Sequence, residues 1–147
     1  MSEEPDILNI ADSDREVYEK IVKDKLGPFK GKDNKHVFMV AISYGLKFGK
    51  RTPLNSKKYG FIRREYLSKE ELSIIKAIAV NEGQSLDILL DKAELYKIAE
   101  EYANTGIKLL KKEIYGEIKG IYGDYYKRLS SELLEHLEKF DLKSMIN

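Results

Sequence analysis

The stretch YGLKFGKRTPLNSKKYGFIRR, residues 44–64, places seven cations, Lys47, Lys50, Arg51, Lys57, Lys58, Arg63 and Arg64, among no carboxylates. Cations gathered beside the small polar groups Thr52, Asn55 and Ser56 suit an anion, and nucleic-acid phosphates are contacted by these side-chain types. Tyr59 and Phe61 add aromatic faces on which an exposed base can stack. Two other outlets for the charge are open. Lys47, Lys50 and Arg51 can complement the carboxyl end of a helix, at a few tenths to about 1 kcal/mol each, with the remaining cations solvating a loop. Alternatively, the cations can pair with an acidic protein surface, on this chain or on a partner.

Other chemistries fit the residues poorly. A phosphate-binding nucleotide loop needs four residues between its glycines, Ser or Thr directly after Lys, and a preceding strand. Here three residues separate Gly45 from Gly49, Arg51 intervenes between Lys50 and Thr52, and the preceding segment has helical periodicity. The two histidines, His36 and His136, lack metal-ligand spacing and read as surface or packing residues, so no metal is expected. Cysteine is absent, which removes disulfides and thiol chemistry. There is no G-x-S-x-G elbow and no HExxH pair. The expectation is a non-enzymatic chain with no catalytic residues and no cofactor.

These residues sit in a chain of 147 residues, the size of one domain. Its 26 basic and 25 acidic residues nearly cancel, yet residues 34–64 hold eight cations and no acid, leaving 18 against 25, a net −7, elsewhere. The start, MSEEPDILNIADSDRE, is acidic and unlike an export signal, and no apolar run reaches the length of a membrane span. A cytoplasmic location and no membrane partner are expected.

The pattern predicts an all-α, compact domain of four to five helices with a Gly-hinged C-terminal helix. Residues 1–11 read as a flexible N-terminal arm, 12–115 as the helical core domain and 116–147 as a C-terminal helical extension. A first helix, capped by Asp12 or Ser13, carries Val17, Ile21 and Val22, reaches Leu26 and stops at Gly27-Pro28. A second, capped by Asp33 or Asn34, is apolar on two faces (Val37, Val40, Ala41, Tyr44 and Phe48; Phe38, Ile42 and Leu46) and reads as central to the core. Gly49 suits its end, and 50–60 reads as a loop. Phe61 to Leu67 is a short strand or an extended connection. Ser68 and Glu71 form a capping box for a third helix, and Asp91 and Glu94 offer the same arrangement for a fourth, which carries Leu95, Ile98, Ala99, Tyr102, Ile107, Leu110 and Ile114. Gly116, Gly120 and Gly123 predict a hinge, and Tyr122, Tyr126, Leu129, Leu133, Leu137 and Phe140 a seam through which 122–140 can form a homo-oligomer.

GLKFGKRTPL (45–54), the pair Ile62-Arg63, and IAEEYANTGIKLL (98–110) occur in that order. Together they resemble the dnd system-associated proteins, small proteins encoded beside Dnd phosphorothioate DNA-modification genes. The resemblance covers residues 36–114 and leaves the tail outside it. It implies a setting, DNA modification, restriction or defence, and carries over no catalytic residue. Joined to the charge of the basic stretch, that setting leads to an accessory protein that binds DNA through Lys47, Lys50, Arg51, Lys57, Lys58, Arg63 and Arg64, alongside proteins of a modification or restriction complex. The alternative is a protein-interaction adaptor or oligomerisation module without DNA contact. Glu100, Glu101 and Asn104 are placed to dock the basic segment internally, with Tyr102 buried between them.

Overall fold

The computed structural model describes residues 4–55 and 57–115, together with Leu133 and Glu135. The Gly hinge and the 122–140 seam lie outside the described residues, apart from those two positions. The chain divides into one compact unit ending at Leu110 and a second from Lys111 onward.

The first unit contains β1 (Ile7–Ala11), α1 (Arg15–Lys23), α2 (Asn34–Phe48), β2 (Lys58–Arg63), α3 (Lys69–Gly83) and most of α4, which runs over Lys92–Tyr115. It is mostly helical, as expected, with one small two-stranded antiparallel sheet added. The expected N-terminal arm is corrected, because residues 7–11 are the strand that completes this pair. Leu8 lies opposite Ile62 and Ile10 opposite Tyr59, and the register skips Phe61 between Ile62 and Gly60. Leu8 and Ile10 alternate into the core with Asn9 between them, the period of a half-buried strand.

Local sequence sets the helix ends. Asp33 caps α2 reciprocally with His36: the Asp33 carboxylate accepts from the His36 amide at 3.3 Å, and the Asp33 amide donates to His36 Nδ1 at 3.4 Å. His36 is therefore a capping residue. Gly49 closes α2 at φ 81°, where its amide donates to Leu46 at 3.1 Å and the Lys50 amide to Gly45 at 3.4 Å. The capping box at α3 forms as expected, with Ser68 Oγ accepting from the Glu71 amide at 3.1 Å and Glu71 from the Ser68 amide at 2.8 Å. At α4, Asp91 accepts from the Glu94 amide at 3.2 Å. Helix α1 stops at Lys23, short of the expected Leu26, whose side chain is exposed.

The central helix is α4 rather than α2. Every residue from Ile98 to Ile107 is buried, so α4 is covered on all sides over nearly three turns, at 3.6 residues each. Helix α2 buries Val37, Phe38, Ala41, Ile42 and Gly45 but leaves Leu46 and Phe48 at the surface. The two helices meet backbone to backbone. A methyl group on Gly45 would lie 2.0 Å from the Tyr102 carbonyl oxygen, and one on Gly106 only 1.6 Å from that of Ala41. Glycine is required at both positions for this approach.

Candidate nucleic-acid interface

The close crossing of α2 and α4 brings the two sequence motifs together. GLKFGKRTPL leaves the end of α2 and lies across EEYANTG on α4. The Thr52 amide donates to the Glu101 carbonyl at 3.2 Å, and the Thr52 and Thr105 hydroxyls are 2.7 Å apart. Asn104 Nδ2 donates to the carbonyls of Thr52 and Pro53 at 3.0 and 3.3 Å. Its Oδ1 accepts from Lys108 at 2.6 Å, and Lys108 also reaches Asp14 at 3.2 Å. At the far end of the loop, the Asp12 amide donates to the Lys57 carbonyl at 2.8 Å. The loop is thus fastened at both ends. Short polar side chains do this work because each loop carbonyl facing the core needs a donor.

Arg51 completes the clasp. Its Nε lies 3.3 Å from Glu82 at the end of α3 and 3.6 Å from Glu101 on α4. Glu82 in turn accepts from the Tyr102 hydroxyl at 2.5 Å. Burial, followed by the hydrogen bond and charge of Glu82, raises the Tyr102 hydroxyl to about 12. Glu100 accepts from the Asn9 amide of β1. Burial raises the Glu100 carboxyl above the ordinary range, against the opposing hydrogen bond from Asn9 and the nearby Lys58 charge.

The seven cations expected at the site separate by residue type. The three arginines face carboxylates of the same molecule. Besides Arg51, Arg63 lies 3.1 Å from Glu65, and Arg64 lies 2.8 Å from Glu4 and 3.3 Å from Asp6. The four lysines, Lys47, Lys50, Lys57 and Lys58, are exposed and make no ion pair among the described residues. This division follows the chemistry of the groups: a planar guanidinium holds carboxylates in a fixed fork, whereas an ammonium is a strongly hydrated point charge. Lys35, the eighth cation of the acid-free interval, pairs with Glu71 at 3.0 Å.

The aromatic residues of the stretch are engaged internally. Phe61 packs against Tyr18 with ring centroids 4.6 Å apart, and the Arg15 guanidinium lies 4.1 Å over the Tyr59 ring. Both rings thus have partners within the protein, although Tyr59 stays 37% exposed. The clasp partners Asn9, Asp14, Glu82, Thr105 and Lys108 carried no spacing signal, since each contributes through a contact with a distant segment. A cleft of about 230 Å³ separates loop from helix, lined by Pro53, Leu54, Asn55, Lys58, Lys97, Glu100 and Glu101. Among the described residues, no group of three His, Cys, Asp or Glu side chains is placed to hold a metal ion, and no helix is long and apolar enough to cross a membrane.

No curated protein and no solved structure matches the chain. A family model does match, over residues 8–145, and its description is DNA sulphur modification system-associated protein 4. That span extends the motif resemblance at both ends and brings the tail within the family. With the two motifs built into one clasp and the match running over nearly the whole sequence, the chain belongs to the family of DNA sulphur modification system-associated protein 4.

Proposed function

We propose that the protein is a cytoplasmic, non-enzymatic accessory component of a DNA sulphur modification or restriction system that binds the DNA backbone through Lys47, Lys50, Lys57 and Lys58. The observation that carries this reading is the separation of the cations. Three arginines pair with internal carboxylates, while four exposed lysines border a loop fastened at both ends and make no ion pair among the described residues. Such lysines serve phosphate contact without base reading.

Four phosphate contacts give a log–log salt slope of about −3.6 on duplex DNA. The double substitution Lys47→Ala with Lys50→Ala flattens it by about 2 and leaves folding unchanged. Absence of any mobility shift in low salt refutes DNA binding, and cleavage of DNA with added magnesium or manganese refutes the non-enzymatic part.

A second reading, a protein-interaction adaptor, is supported by Leu86 and Leu90, which lie in one short helical turn (Leu86–Leu90) and are each 71% exposed. Replacing both by Ser abolishes capture of a modification-complex protein under that reading; an unchanged complex removes these leucines from any interface.

A further inference from the structure

The end of α2 carries one feature that plain phosphate contact leaves unused. Phe48, the last residue of the helix, is 62% exposed. Its neighbours Lys47 and Lys50 are two of the four exposed lysines of the proposed interface, and Leu46 is also at the surface. The next two aromatic residues along the chain, Tyr59 and Phe61, are occupied by Arg15 and Tyr18. Phe48 makes no ring contact among the described residues. The Gly49 turn, with amides of Gly49 and Lys50 bonded back to Leu46 and Gly45, fixes where this ring emerges.

An ordinary phosphate offers oxygens, which seek hydrogen-bond donors and cations. Where sulphur replaces a non-bridging oxygen the charge remains, but one atom becomes larger, more polarisable and more weakly hydrated. Such a group calls for a cation and an apolar surface together, because the larger, polarisable and weakly hydrated atom gains dispersion contact with apolar groups, including the edge of a ring. Lys47, Phe48 and Lys50 supply both within a single turn.

We infer that this helix end distinguishes sulphur-bearing DNA backbone from unmodified backbone, Phe48 receiving the sulphur while the flanking lysines hold the charge. The inference rests on the proposed DNA binding and specifies its substrate. The side chains at this helix end carry no chemistry of their own, so the discrimination is one of binding.

The test is fluorescence anisotropy of the full chain with two duplexes of one sequence. One is unmodified; the other carries phosphorothioates of a single diastereomer along a central run, each diastereomer being measured separately. The expected result is a two- to tenfold tighter Kd for one diastereomer, about the range of a single sulphur–aromatic contact. Phe48→Ala abolishes the preference, Phe48→Tyr retains it, and Lys50→Ala weakens both duplexes alike. Equal affinity for modified and unmodified duplexes, or a preference that survives Phe48→Ala, overturns the inference and leaves DNA binding standing. Failure to bind either duplex overturns the DNA reading and this inference with it. Circular dichroism of each variant keeps a loss of fold from counting as a loss of preference.

Discussion

Gly106→Ala opposes two effects of known sign. In an unconstrained helix interior, Ala stabilises over Gly by about 1 kcal/mol. At this position the new methyl group would lie 1.6 Å from the Ala41 carbonyl oxygen and 2.9 Å from the Gly45 amide nitrogen. A normal contact needs roughly 3.2 Å, so α2 and α4 would have to separate by about 1.5 Å at their crossing, and neither obstacle is a side chain that can rotate away. Overpacking a core costs about 1–3 kcal/mol where side chains can yield, and more where they cannot. The net expectation is a destabilisation of at least about 2 kcal/mol. Gly83→Ala is the internal control: it sits in α3 with its nearest obstacle, Ile88 Cβ, at an ordinary 3.7 Å, so only the propensity gain applies. Urea denaturation followed by circular dichroism measures both. A Gly106→Ala protein as stable as the unsubstituted chain would refute the backbone contact, and with it the account of how the two motifs meet.

Arg51→Ala leaves Glu101, buried on α4, without its cation; it is expected to cost about 1–3 kcal/mol in urea melts, whereas Lys50→Ala is neutral within about 0.5 kcal/mol. Asn104→Ala removes the donor to Thr52 and Pro53, so hydrogen exchange at residues 50–55 accelerates while that of α3 does not. Glu100 has its carboxyl pKa raised in the fold, chiefly by burial, so its contribution is fully present below the unfolded value and lost as pH rises through the folded value. Glu100→Gln keeps an acceptor for the Asn9 amide and flattens this decline, which begins at the ordinary carboxylate range, in a pH series of melts. Glu4, lowered mainly by the Tyr96 hydrogen bond, acts in the opposite sense: its stabilisation is present above the unfolded carboxylate range and fades as pH falls through the folded value, a trend that Glu4→Gln removes.

The helices and their caps were legible because their causes are local. Ser68 and Glu71, Asp91 and Glu94, and Gly49 all act within four residues of the ends they define. The internal docking of EEYANTG on the basic segment was legible too, from the polar residues of one motif facing the cations of the other. What escaped has distant causes. Strand β1 is too short to announce itself and needs β2, far along the chain, to satisfy its backbone. The choice of α4 over α2 as central helix depends on how completely the loop carbonyls and Arg51 cover Glu100, Glu101 and Asn104, which pairwise docking alone does not fix. For the same reason charge counting merged seven cations into one patch, although arginines and lysines are assigned opposite directions by the partners they meet.

The encirclement of α4 has a consequence for the order in which the molecule can be made. During synthesis β1, α1, α2, β2 and α3 all leave the ribosome before the helix they surround. Until Ile98 to Ile107 follow, the faces of α2 around Ala41 and Gly45 have nothing to close upon, and the Arg51 loop has no Asn104 to hold it. The β1–β2 pair and the α1–α2 contact can form earlier, but the core around the α2–α4 crossing closes only when α4 arrives. A released chain truncated before Lys92 should be protease-sensitive around the α2–α4 crossing, and the full chain protected there.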